Sequence, residues 1–152
     1  MTPSDPPAAL QPPPTTIFCA TEVPKSFPVE VRVRNHTFRS DVGPSSGSAD
    51  SAPGPHDYFD AALAACKALT ATWYARKNEM PLERVETYVE RNDAEERRGK
   101  YTLKVSLAFY GPLSAEQRSR LYAAVGACPV HKLMTTTDVV IETAPLDGNG
   151  SG

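Results

Sequence analysis

The run from His56 to Asn78, HDYFDAALAACKALTATWYARKN, contains neither Gly nor Pro and constrains the fold more than any other part of the chain. Asp57 and Asp60 fall in its first turn and Arg76 and Lys77 in its last, where they complement the helix dipole, so the pattern predicts one uninterrupted helix. At 1.5 Å per residue it would span roughly 33 Å. Phe59, Leu63, Cys66, Thr70 and Trp73 recur at intervals of three and four, while the other sides carry mainly Ala and Tyr rather than charge. A helix with so little polar surface is expected to be central and largely buried.

Strands are predicted on both sides of it. TTIFCAT and PVEVRVRNHTFRSD alternate apolar and polar residues, with Asn35 and His36 expected to turn a hairpin. VGPSSGSADSAPGP has no apolar period and reads as a long loop of the kind that borders active sites. Beyond the helix, LERVETYVER and YTLKVSLAFY form a second hairpin whose Tyr101, Leu103, Val105, Leu107 and Phe109 share a face. Ser114 followed by Gln117 is a capping box that opens another helix. Pro129 suits the first position of a short turn after Cys128, and TDVVIETA is expected to be a final strand. The order strands, long helix, hairpin, helix, strand is that of an α+β protein rather than a doubly wound parallel sheet.

The chain has 152 residues, enough for one domain. Residues 1–14, rich in proline, and 146–152 are expected to be disordered or flexible tails around a domain at 15–145. A net charge of −2 with the signs interspersed offers no footprint for nucleic acid or a membrane, and no stretch approaches the roughly 18 apolar residues of a membrane span. A soluble, cytoplasmic protein with small-molecule or protein partners is expected.

Three cysteines are too few, and odd in number, for a secreted disulfide framework. Cys19 lies near the proline-rich end and reads as a bystander. Cys66, inside the long helix, and Cys128, at the opening of CPVHKLM, suggest redox chemistry with one thiol attacking and the other resolving. A thiolate attacks and a thiol barely does, so Cys66 needs an activating cation. Lys67 points about 100° away around the helix, which leaves the basic N-terminal hairpin, and Arg39 beside the long loop is the preferred candidate. Cys128 has His131 and Lys132 close in sequence. Phe59, Leu63, Leu69 and Trp73 could line an apolar pocket along the helix. Two other readings remain open: inert packing of the cysteines in a core, and a metal site seeded by the C-x-x-H spacing of Cys128 and His131.

GPHDYFDAALAACKALTATWYARKNEMPLERVETYV followed by GPLSAEQRSRLYAAVGACPVHKLM resembles the OsmC/Ohr family, named for osmotically inducible protein C and the organic hydroperoxide resistance protein. The likeness runs from about Phe27 to Thr143 and is closest to the broad OsmC-like branch. It implies an intertwined homodimer in which antiparallel sheets wrap long central helices, and a thiol-dependent peroxidase without metal or organic cofactor. By this resemblance Cys66 matches the peroxidatic cysteine and Cys128 the resolving one, with a Cys66–Cys128 disulfide as the oxidised product. Asp57 falls where many relatives carry a glutamate just inside this helix, so the resemblance makes it a second activating candidate, an acidic partner in shorter form. The implied partners are a hydroperoxide and an external dithiol reductant such as a lipoyl protein. Two departures stand out: His56 occupies the position where the organic hydroperoxide branch often has its catalytic glutamate, and Asp41-Val42-Gly43 replaces an Asp-Glu-Pro run. The rival functions are a redox sensor or disulfide-handling protein that does not turn over, and a dimeric binding scaffold with structural cysteines.

Overall fold

The structure is a computed structural model that describes residues 16–146. The expected tails at 1–14 and 146–152 lie outside the described residues, except for Leu146. The chain divides into two compact units, Met1–Phe59 and Asp60–Gly152.

In the first unit, β1 (Ile17–Thr21), β2 (Val29–Val33) and β3 (His36–Ser40) form an antiparallel sheet in the order β1-β2-β3. Val33 pairs with His36, so the two-residue turn is Arg34-Asn35, one position earlier than the sequence suggests. Arg34 takes a φ of 53° to make it. The loop that follows is tied to one carboxylate. Asp41, 3% exposed, accepts hydrogen bonds from the Val42 N–H (2.7 Å), the Ser48 hydroxyl (2.6 Å), and the Ser51 N–H (2.8 Å) and hydroxyl (2.7 Å). The Ser48 bond, followed by those from Ser51 and Val42, holds the Asp41 carboxyl well below the usual carboxylate range.

Helix α1 (Pro55–Lys77) begins in this unit and continues through the second. Its start is fixed by Asp57, whose carboxylate reaches back to accept the Gly54 N–H at 2.9 Å. The helix ends within one residue of the predicted limits. Its buried stripe, however, differs from the expected one. Asp60, Leu63, Lys67, Ala71 and Ala75 are buried, whereas Leu69 is 69% and Trp73 60% exposed, so α1 is not largely buried within this chain. Two charged residues can occupy a buried stripe because each meets polar partners. Asp60 accepts from the Arg91 guanidinium (2.6 Å) and the Tyr101 hydroxyl (2.7 Å).

The second unit adds β4 (Arg84–Asn92) and β5 (Thr102–Tyr110), paired antiparallel from Arg84 opposite Tyr110 to Asn92 opposite Thr102, together with α2 (Ala115–Val125) and α3 (Pro129–Thr135). Alternation along β5 turns Leu103, Val105, Leu107 and Phe109 inward, as expected. Ala71, Ala75, Met80, Phe109, Leu121 and Val125 form the core. The Thr87 hydroxyl donates to the Ala64 carbonyl at 3.1 Å, tying β4 to α1. Ser114 and Gln117 make the predicted capping box at the head of α2. Gly111, at φ 134°, turns the chain out of β5, and a Cβ there would lie 2.3 Å from the Pro81 carbonyl oxygen.

The predicted final strand is not formed: residues 138–146 carry no regular structure. Val139, Val140 and Ile141 are 57%, 75% and 83% exposed. β-Branched residues favour a strand only when a neighbour supplies the other half of the ladder, and none of the described strands pairs with this segment.

Candidate functional site

Cys66 lies on α1 about 100° around from Lys67 of the buried stripe and is half-buried. Its sulfur accepts the backbone N–H of Val130 at 3.5 Å and lies 4.0 Å from the Thr70 hydroxyl. Val130 is the second residue of α3, whose N-cap is Cys128 and whose first position is the predicted proline, Pro129. The segment that begins with Cys128 is therefore in direct contact with the Cys66 sulfur. Cys128 itself is 0% exposed.

Beside Cys66 is a cavity of about 810 Å³ lined by Ala62, Leu69, Thr70, Trp73, Ala127 and Val130 among others. Its small side chains, mostly alanine, create the space, while Leu69 and Trp73 make it apolar. Of the four residues expected to line a pocket, Leu69 and Trp73 do. Leu63 is 5% exposed and belongs to the buried stripe, and Phe59, 47% exposed, falls in the first unit.

The charged group of this site is Lys67. It is 4% exposed, and its Nζ donates to the Val125 carbonyl at 2.9 Å and to Cys128 Sγ at 3.7 Å and lies 3.2 Å from His131 Nδ1. Lys67 does turn away from Cys66, as neighbours on a helix must, but the direction it takes leads to the other cysteine. Sequence reasoning missed this role because lysine is rarely buried and its partners lie about sixty positions away. The available signal was spacing: Lys67 falls in register with Leu63, Ala71 and Ala75.

Arg39, in the first unit, makes a two-pronged pair with Glu22 at 2.8 and 2.9 Å. Asp57 caps α1 as described. Cys19 is exposed on β1 and His36 begins β3. Among the described residues, no group of three or more His, Cys, Asp and Glu side chains is placed to hold a metal ion. No helix among them is long and apolar enough to cross a membrane.

The fold and site define an α+β protein with two antiparallel sheets, in which a long cysteine-bearing helix meets a second cysteine-bearing turn beside an apolar cavity. The family model for OsmC-like protein matches residues 47–144, and the chain belongs to that family. None of the curated proteins matches it. Among solved structures, it is similar to a protein described as an osmotic stress induced and detoxification response protein from Psychrobacter arcticus, with 17% identity and a TM-score of 0.67 over 82% of this chain and 90% of that one. It is also similar to an OsmC-like protein from Mycoplasma pneumoniae, with 16% identity and a TM-score of 0.65 over 80% and 87%. The organic hydroperoxide resistance protein OhrB of Bacillus subtilis matches at 18% identity and a TM-score of 0.54 over 80% and 91%. At such identities these likenesses establish the fold.

Proposed function

We propose that this protein is a cysteine-based peroxidase that reduces organic hydroperoxides. One observation carries the reading: the Cys66 sulfur opens on an apolar cavity and touches the turn that Cys128 begins. Family membership supports it, since solved relatives include organic hydroperoxide resistance proteins.

In the proposed cycle the Cys66 thiolate attacks the distal oxygen of the hydroperoxide. The O–O bond breaks, the alkoxide leaves and takes a proton to become the alcohol, and Cys66 becomes a sulfenic acid. Sulfur is oxidised by two electrons and the peroxide is reduced by two. Cys128 then attacks the Cys66 sulfur, hydroxide leaves and is protonated to water, and a disulfide forms. An external dithiol returns both thiols by exchange. The Val130 N–H is placed to stabilise negative charge on Cys66. The cavity walls favour an alkyl or aryl group over water.

The protein is further proposed to work as a cytoplasmic homodimer. Leu69, Trp73 and the segment from Val139 to Ile141 are large exposed apolar groups that a second copy would cover.

Stopped-flow consumption of cumene hydroperoxide with dithiothreitol tests the catalytic reading. With the reductant the wild-type protein should reduce many equivalents and Cys66→Ser none, and without it Cys128→Ser should consume about one equivalent and retain a sulfenic acid. Consumption that stops near one equivalent in the wild type would mark a sensor. No paired loss of the Cys66 and Cys128 thiols on treatment would mark a scaffold.

A further inference from the structure

Lys67 is a charged residue almost sealed from solvent, at 4% exposure. Three groups surround its nitrogen: the Val125 carbonyl, His131 Nδ1 and Cys128 Sγ. An ammonium can donate to all three, and a neutral amine can donate to two and accept the Cys128 S–H, so the hydrogen-bond count admits either form. A lysine amine is intrinsically more basic than a thiolate, which places the shared proton on the amine.

A buried cation requires a counter-charge. A carbonyl is neutral, and an imidazole that accepts at Nδ1 is neutral too. None of the three partners is a carboxylate. Asp60, two turns earlier on the same buried stripe, is already engaged by Arg91 and Tyr101. Cys128 Sγ is the partner that can carry the negative charge.

We infer that Lys67 holds Cys128 as a thiolate and is thus the positioning residue of the resolving step. This inference rests on the peroxidase reading for its purpose, though not for its chemistry. Cys128, fully buried, is shielded from hydroperoxide in solution, while Cys66 faces the cavity. The thiolate is held ready and reacts when Cys66 presents a sulfenic acid. Its electron pair forms the S–S bond as the S–O bond of Cys66 breaks. The departing hydroxide gains a proton and leaves as water. Lys67, having lost its counter-charge, gives up its proton, so the charges balance as Lys67 ammonium, Cys128 thiolate and Cys66 sulfenic acid become amine, disulfide and water.

The test uses the full chain carrying Cys19→Ser and Cys66→Ser, so that Cys128 is its one thiol. Thiolate absorbance at 240 nm is measured at pH 7 in the folded state and again after unfolding in guanidinium. A folded-state signal that collapses on unfolding, and that is missing when Lys67→Met is added, supports the ion pair. Absence of the signal before Lys67 is changed overturns it, and that reading requires no further variant to fold. Persistence of the signal in a folded Lys67→Met protein overturns it equally.

In the chain that retains all its cysteines, Lys67→Met should slow the conversion of the Cys66 sulfenic acid to disulfide several-fold more than it slows formation of that sulfenic acid. Unchanged resolution overturns the assigned role. A thiolate at Cys128 with no disulfide formed under cumene hydroperoxide would instead sink the peroxidase reading and leave the ion pair standing.

Discussion

The Cys66 sulfur and the Val130 backbone N–H lie 3.5 Å apart, a contact between residues 64 positions apart in the chain. It joins α1 to the start of α3 and fixes where Cys128 can be. α1 contributes two neighbouring residues to two different thiols. Cys66 receives the Val130 amide and faces the cavity, while Lys67, about 100° further round, reaches Cys128. One helix can thus hold an accessible sulfur and service a buried one without placing the ammonium beside the first.

The cavity wall should set substrate preference. Trp73 lines it with its ring exposed and the Lys77 ammonium 5.0 Å from the ring centroid. Trp73→Ala removes apolar area that a bulky hydroperoxide would cover and hydrogen peroxide would not. The expected result is a three- to tenfold fall in kcat/KM for cumene hydroperoxide, roughly 0.7–1.4 kcal/mol, with little change for hydrogen peroxide. Steady-state kinetics on both substrates checks it.

Acid should loosen the loop after β3. The Asp41 carboxyl is held below its ordinary range by hydrogen bonds from Ser48, Ser51 and Val42, so folding favours the ionised form. That stabilisation is fully present above the unfolded carboxyl pKa of about 4 and is lost as pH falls through the folded value. Asp41→Asn, which cannot accept the same set of bonds, should be less stable than wild type at pH 7, and the gap should narrow below pH 4. Urea unfolding at a series of pH values measures it.

Gly111 should not tolerate even alanine. Its φ of 134° is strained for any L side chain, and the new Cβ would lie 2.3 Å from the Pro81 carbonyl. Gly111→Ala is expected to cost about 2–4 kcal/mol, with the turn between β5 and α2 shifted or the strand end frayed. The denaturation midpoint gives the size, and amide exchange at Glu83, whose N–H is held by the Tyr110 carbonyl, gives the location.

Local signals in the sequence carried through to the structure where a single element satisfies them. The Gly- and Pro-free run with acidic and basic ends became α1, Ser114 and Gln117 became a cap, and Pro129 took the first position of α3. The two strand pairs beside long loops also formed, with a one-residue shift at Arg34-Asn35. Signals that depend on distant partners did not. Lys67 looks like a surface charge until Val125, Cys128 and His131 arrive from α2 and α3, and residues 138–141 look like a strand until a ladder is sought. The same reasoning explains why Cys66, Thr70 and Trp73 read as a core stripe. Their spacing is correct for a buried face, but within this chain that face borders the cavity.

Tyr101 supplies a check on the buried polar pair at the other end of the stripe. Burial first, and then its hydrogen bond to Asp60, push the Tyr101 hydroxyl up to about 12. Because the folded pKa lies above the unfolded value of about 10, the protonated phenol is favoured by folding. Its contribution is fully present below pH 10 and is lost as pH rises towards 12. Tyr101→Phe removes that dependence and leaves Asp60 with Arg91 as its partner at 2.6 Å. The variant should be about 1–2 kcal/mol less stable at pH 7, from one lost hydrogen bond to a charged acceptor. Its stability should also fall less steeply than wild type between pH 10 and 12, and an ultraviolet titration of tyrosinate should lose its latest-titrating component. If the variant matches wild type across that whole range, Asp60 is held by Arg91 alone and the phenol contributes nothing to the burial of this end of α1.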